Sequence, residues 1–295
     1  MTTRRAVLVG GIAAVGGLLV GCSARQSDQP TDPSAAEFAS LEGDFGGRLG
    51  VYALDTGSGR SVGHRADERF LMCSTVKVLI VSAILHRRHS EPGLLDKQIR
   101  YTQAEVLEWA PETSKHVATG MTVSQLCEAA IRYSDNTAAN LLIAELGGPK
   151  ETEKFVRGFG DSVTNTDRTE AALNSVDVVD GDKDTSTPQQ MATDLRTLVL
   201  ADGLDPQGRD LLTGWLKANT TGDQSIRAST PAGWTVGDKT GTGFRNESND
   251  IAVIWPPERA PIVVSVYTSP NDAKSTKGKP TIAEATRIAL KAFNT

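Results

Sequence analysis

Four short clusters in the chain hold residue types that can carry nucleophilic chemistry. In Ser74-Thr75-Val76-Lys77 a hydroxyl and an amine stand three residues apart. On a helix such residues share a face, so Lys77 can aim its amine at the Ser74 hydroxyl. A serine hydroxyl is a weak nucleophile until a neighbouring base takes its proton. A helix N-terminus also favours negative charge developing beside it. Alone, Ser-x-x-Lys arises about once by chance in a chain of this length, and a capped buried helix with a solvated lysine would account for it. Three further clusters follow in order: Ser134-Asp135-Asn136, Glu170-Ala171-Ala172-Leu173-Asn174 and Lys239-Thr240-Gly241. Each has a bland reading of its own, the first as a helix cap and the last as an edge strand. Each also has a chance expectation of roughly 0.05, so the ordered set is not accidental.

The surrounding sequence predicts the elements that must hold these residues. Phe70 to Cys73 leads into the Ser74 cluster, and the apolar run Val78-Leu79-Ile80-Val81 with Ala83, Ile84 and Leu85 reads as a helix with Ser74 at its start. From about Thr102 to Leu216 the chain reads mostly as helix. Thr122-Val123-Ser124-Gln125 is a capping box opening a helix through Tyr133, and a second helix runs from about Thr137 to Leu146 and stops at Gly147-Gly148-Pro149. Ser134-Asp135-Asn136 lies in the break between them. Lys150 to Arg157, Pro188 to Ala201 and Gln207 to Leu216 are further helices. Asn165 to Thr187, which contains Glu170 and Asn174, has no periodicity, and an ordered loop of that length is often functional. Arg48 to Asp55 alternates as a strand and turns at Thr56 to Gly59 into Arg60 to Arg65. Trp234 to Thr242, Ile251 to Pro256 and Pro261 to Thr268 read as strands. Thr281-Ile282-Ala283-Glu284 reads as a capping box for a closing helix with Ile282, Ala285, Ala289 and Phe293 on one face, and Ala35 to Leu41 as a short first helix. Strands at both ends with helices between them point to an α+β fold interrupted by an all-helical segment.

Composition excludes several function classes. The 295 residues carry a formal net charge of −5, and residues 1–21 contribute only Arg4 and Arg5, so the remainder is more acidic still. An acidic surface argues against nucleic acid and against electrostatic attraction to anionic lipid. The four histidines, His64, His86, His89 and His116, read as surface residues without a ligand cluster, so no metal and no cofactor is expected. Thr3-Arg4-Arg5-Ala6-Val7 resembles a twin-arginine export signal. The apolar run 6–21, ending Leu19-Val20-Gly21-Cys22, resembles a lipobox, which implies a signal peptide over 1–21 and lipidation of Cys22. Residues 22–34 then form a lipidated cysteine and polar tether. Cys73 and Cys127 read as buried small apolar residues.

In order and spacing the four clusters resemble those of the class A serine β-lactamases, and the resemblance covers essentially everything after the tether. It implies an antiparallel five-stranded sheet flanked by N- and C-terminal helices, built from 35–70 and 217–295. An all-helical domain, 71–216, is inserted and contains the omega-type loop 165–187. It implies hydrolysis of the β-lactam amide of penicillins and cephalosporins through a Ser74 acyl-enzyme, by a monomeric, membrane-anchored lipoprotein facing the periplasm or cell envelope. Lys77 and Glu170 are the available bases. Ser134 relays a proton to the leaving nitrogen beside Lys239, and Glu170 with Asn174 activates a deacylating water. Asn136 meets a substrate side-chain carbonyl. The Ser74 and Thr242 backbone N–H groups form the oxyanion hole, and Lys239, Thr240 and Thr242, with Gly241 between them, face the substrate carboxylate. Trp109 matches an aromatic gatekeeper, though a loop-packing tryptophan is the alternative. Arg168 and Asp184 pair across the loop neck.

Three departures stand out. Ala171 replaces the usual proline after the loop glutamate, where the resemblance implies a cis bond. The loop is one residue longer, with the extra residue expected between Val176 and Asp182. Ser225 stands where some relatives carry arginine, leaving Lys279 to complete carboxylate recognition. A penicillin-binding DD-peptidase shares three of the four clusters but generally lacks the Glu170–Asn174 pair. An inactive lipid-anchored envelope-binding protein is the other alternative.

Overall fold

The computed structural model describes residues 33–175 and 181–294. Nine strands are formed among these: β1 Gly47–Asp55, β2 Ser61–His64, β3 Phe70–Leu71, β4 Gln98–Ile99, β5 Met121–Thr122, β6 Thr185–Ser186, β7 Thr235–Thr242, β8 Ser248–Trp255 and β9 Ile262–Pro270. The apolar run from Ile262 to Tyr267 is buried throughout, the pattern of a strand covered on both faces, and β9 occupies the middle of the main sheet. That sheet is antiparallel in every pairing, in the order β2-β1-β9-β8-β7. β7, carrying Lys239-Thr240-Gly241, is an edge strand with one side free to meet other elements. β3 pairs with β6 and β4 with β5.

Eight α-helices accompany the strands among the described residues: α1 Pro33–Phe45, α2 Lys77–Arg87, α3 Val123–Arg132, α4 Asn136–Leu146, α5 Pro149–Arg157, α6 Pro188–Leu200, α7 Pro206–Lys217 and α8 Gly278–Ala292. Alternation along β8 divides the core in two. Ala252 and Ile254 join Phe38 of α1, Ile282, Ala285 and Ala289 of α8 and Phe293 just after it, whereas Ile251 and Val253 face a larger cluster built on α2 and α6. α2 is buried from Lys77 to Leu85 with no polar face, as a helix surrounded on all sides must be, and α3, α4, α5 and α7 pack around it.

Several elements differ from expectation. The first helix begins at Pro33, inside the stretch read as tether, because proline suits the first helical position where no N–H is needed. The closing helix begins at Gly278, and the Thr281 N–H donates to Lys277 O at 2.9 Å inside its first turn. Glu284 pairs with Arg287, so the capping box expected at Thr281 does not form. Residues 102–120 are short 3₁₀ turns and loop, not helix. β8 starts at Ser248, three residues early: the Asn249 amide donates to the carbonyls of Leu71 (2.8 Å) and Met72 (3.1 Å), and Asp250 accepts the Ile226 N–H at 3.0 Å. Asn249 and Asp250 enter this strand because their side chains find partners in distant segments, which polarity alone hides. His64, expected at the surface, is wedged between the Phe38 ring and the Glu42 carboxylate, 2.9 Å away.

Candidate active site

Ser74 lies within a 3₁₀ turn, Cys73–Val76, that runs into α2, not at a helix cap as the sequence suggested. The turn is fixed from three sides. Asn249 holds its entry from β8, the Met72 N–H donates to Asp184 O at 2.9 Å, and Gly241 of β7 presses against it. A Cβ on Gly241 would stand 2.9 Å from Met72 O and 3.2 Å from Ser74 N, so only glycine allows this approach. The contact sets the end of β7 against the Ser74 backbone N–H.

Lys77 sits on the first residue of α2 and is fully buried. Its Nζ reaches Ser74 Oγ at 2.9 Å, Ser134 O at 2.8 Å, Ser134 Oγ at 3.3 Å, Asn136 Oδ1 at 2.6 Å and Glu170 Oε1 at 2.9 Å. Burial drives its pKa down, and the Glu170 carboxylate opposes the shift. Lys239, also fully buried, donates to Ser134 Oγ at 3.0 Å and to Thr240 O at 2.7 Å. Burial, then the charge of Lys77, lowers it to about 7.

The Ser134-Asp135-Asn136 cluster divides its labour. Asp135 caps α4, accepting the Ala138 N–H at 2.9 Å, and binds Thr113 and the Glu112 N–H from the 102–120 segment. The cap reading is therefore right for the middle residue, and it aims its two neighbours at the site. Ser134 adopts a left-handed backbone, φ 58°, between the two helices. Trp109 is exposed. Its carbonyl accepts the Asn136 N–H at 2.9 Å and its indole donates to Tyr133 O at 3.1 Å, bonds that pack its segment against the Ser134 cluster.

Glu170 comes to Ser74 from the long loop. Its Oε1 accepts from Ser74 Oγ at 3.3 Å, and its Oε2 accepts from Asn174 Nδ2. The Glu170–Ala171 bond is cis. Arg168 and Asp184 pair at 2.5 Å, and Asp184 Oδ1 also accepts the N–H groups of Asp167 (2.8 Å) and Arg168 (3.0 Å). The segment expected to absorb the extra residue lies largely outside the described residues, as does Cys22. Ser225 is buried and cannot face a substrate. Lys279 is exposed on the first turn of α8. Its neighbour Gly278 is so close to β8 that a Cβ would stand 2.3 Å from Ser248 Oγ, and Ser248 pairs with Thr242. Cys73 and Cys127 are buried and unpaired with each other, and burial raises both thiols.

Two positioning groups escaped the sequence reading. Asn140, one turn after Asn136 on α4, clamps the Glu170 backbone reciprocally: its Nδ2 donates to Glu170 O and its Oδ1 accepts the Glu170 N–H, both at 2.8 Å. The i, i+4 spacing from Asn136 was the available signal. Thr221 places its hydroxyl 2.5 Å from that of Thr240, and no sequence pattern marks it.

The profile of the β-lactamase enzyme family matches residues 33–293. A solved class A β-lactamase from Mycobacterium abscessus superposes with a TM-score of 0.87 at 73% identity, covering 89% of this chain and 100% of that one. The chain belongs to the class A β-lactamases. The enzyme is thus a hydrolase with the α+β fold of that family. It is 50% identical over 266 residues to a β-lactamase of Amycolatopsis lactamdurans, spanning 90% of this chain and 87% of the relative. It is 48% identical to the carbapenem-hydrolysing β-lactamase KPC of Klebsiella oxytoca, spanning 88% and 89%.

Proposed function

We propose that the enzyme opens the β-lactam amide of penicillins and cephalosporins through a Ser74 acyl-enzyme. The observation that carries this reading is the Glu170 carboxylate, 3.3 Å from Ser74 Oγ, 2.9 Å from Lys77 Nζ and bonded to Asn174. A carboxylate so held can take a proton from a water attacking an ester on Ser74, the step that separates a β-lactamase from a DD-peptidase trapped as its adduct.

In this reading Ser74 Oγ attacks the lactam carbonyl and passes its proton to Lys77 or Glu170, both within reach. The oxyanion collects between the Ser74 and Thr242 N–H groups. The C–N bond breaks as Ser134 protonates the nitrogen. The Lys77 and Lys239 amines, each within 3.3 Å of Ser134 Oγ, lower the cost of negative charge there. Asn136 holds the acyl side-chain carbonyl. Lys239, Thr240 and Thr242, with Lys279 beyond the end of β7, receive the substrate carboxylate. Glu170 then takes a proton from water as it attacks the ester, and Ser74 leaves with that proton returned. The enzyme works as a monomer, exported through residues 1–21 and anchored by a lipid on Cys22 at the cell envelope, a reading that rests on the sequence of that segment.

Hydrolysis of a chromogenic cephalosporin, run beside labelled penicillin, tests this. Turnover without a lasting adduct is expected, and Ser74→Ala should show neither turnover nor any transient adduct. A stable adduct without turnover would favour a peptidase, and neither adduct nor turnover an inactive binding protein.

A further inference from the structure

Asp161 and Asp194 meet behind the neck of the loop that carries Glu170. Both are buried, Asp161 in the turn after α5 and Asp194 on the second turn of α6, so they belong to opposite ends of the loop. Asp161 Oδ1 accepts the backbone N–H groups of Val163 (2.7 Å) and Thr164 (2.9 Å), and Asp194 Oδ1 accepts from Gln190 Nε2 at 2.7 Å. The remaining oxygen of each, Oδ2, has no hydrogen-bond donor among the described residues, and the Asp161 side chain is a hydrogen-bonding neighbour of the Asp194 carboxyl. Two ionised carboxylates do not tolerate such a contact in a buried site; like charges there hold a proton between them. One proton shared between the two carboxyls supplies the missing donor as a charge-assisted bond.

The neck is built around this contact. The Asn165 N–H donates to Thr185 O at 2.9 Å, the hydroxyls of Thr164 and Ser186 are 2.8 Å apart, and Arg157 donates to the carbonyls of Asp161 (2.8 Å) and Thr164 (2.6 Å). We propose that Asp161 and Asp194 share one proton as a clasp that fastens the two legs of the loop, making Asp194 a positioning residue for Glu170. The link to catalysis rests on the role given to Glu170 above; the clasp itself does not.

The charges around the pair set the direction of its pH dependence. From α5, Arg157 lies 3.6 Å from Asp161 Oδ1 and is itself paired with Glu153 at 3.2 Å. From β9, Tyr267 is the titratable group that senses Asp194. β8 and α7 meet α6 through apolar residues of the larger core, and β1 brings the Tyr52 phenol against that same core. Burial, then the Asp161 charge, pushes the Asp194 carboxyl up to about 8, against the pull of Arg157. The folded state therefore holds this proton more tightly than the unfolded chain, whose carboxyl titrates at 3.8. The clasp contributes fully below the unfolded value and is lost as pH rises toward the folded one.

Asp194→Asn puts an amide N–H where the shared proton lies and keeps the clasp closed at every pH. Urea unfolding of the intact protein between pH 5 and 9 should show the folding equilibrium of the wild type falling about 10- to 10³-fold relative to Asp194→Asn. Hydrogen exchange at Thr164 and Asn165 should quicken with pH in the wild type beyond the intrinsic rate and not in the variant. Asp161→Asn supplies the N–H from the other side and should reproduce the effect. Parallel stability profiles for wild type and both variants would overturn the proposal, as would failure of both variants to fold, since each mimics the protonated pair. None of these measurements uses activity, so their failure leaves the chromogenic assay untouched, and failure of the β-lactam reading leaves them intact.

Discussion

Replacing Glu170 by Gln separates the two halves of the proposed reaction. The substitution keeps shape and removes charge. Lys77 Nζ and Asn174 Nδ2 both donate to the Glu170 carboxylate, whereas an amide offers one oxygen, so one donor must face an N–H. That mismatch costs about 1–3 kcal/mol locally. The chemical loss is larger. Without a general base, deacylation should slow by roughly 10²–10⁴-fold, which is about 3–5 kcal/mol of barrier. Acylation should suffer less. Burial lowers the Lys77 pKa and the Glu170 charge is what chiefly holds it up, so removing that charge moves Lys77 toward the neutral base. Mass spectrometry of the variant mixed with a penicillin should show the enzyme plus the full mass of the substrate, accumulating within a turnover and decaying slowly. A variant that turns over at the wild-type rate would refute the assignment of Glu170. One that forms no adduct would refute the claim that Lys77 can serve acylation alone.

Three other outcomes follow from the geometry. Asp184→Asn keeps a residue type that tolerates the left-handed backbone at this position (φ 54°) but removes the charge paired with Arg168. The cost of about 3–5 kcal/mol for a broken buried pair should lower Tm on the order of 10 °C, with early proteolysis in 165–187. An unchanged Tm would show that the pair does not hold the loop. Gly241→Ala should push β7 off the Ser74 turn, and because a 1 Å misplacement can cost about 10²-fold, kcat should fall by at least tenfold while the unfolding midpoint moves little; unchanged kcat would show that the strand end does not set the oxyanion hole. Lys239 at about 7 in the free enzyme gains a substrate carboxylate on binding, which raises it, so the basic limb of kcat/KM should lie at lower pH than that of kcat. Coincident limbs would remove Lys239 from carboxylate binding.

Much of the site was legible because short-range rules wrote it. Ser74 and Lys77 share a turn, Asn136 follows a capping aspartate, and the central strands of the sheet are foreshadowed by the apolar runs of β8 and β9 and the alternation of β1. What escaped reading has a common physical character: polar side chains whose partners lie far away in the chain. Asn249 belongs to β8 because it bonds to carbonyls 177 and 178 residues earlier, and a polar triplet before Ile251 reads as loop until those partners are known. Asn140 looks like an ordinary helix residue, yet it grips the backbone of Glu170. Asp194 looks like the solvated face of an amphipathic helix and is buried against a second carboxyl. A buried polar group costs stability unless it is satisfied, so the folded chain keeps such groups where each has a partner or a shared proton. In this enzyme they gather at the junctions of the Ser74 turn, the β7 edge and the two ends of the Glu170 loop. Lys77 meets five oxygens at once only because the Ser74 turn, the Ser134–Asn136 break and the Glu170 loop, distant from one another in sequence, are held to tenths of an ångström. The clusters that carry the chemistry are local and readable; the bonds that bring the clusters together are non-local, and a single sequence does not display them.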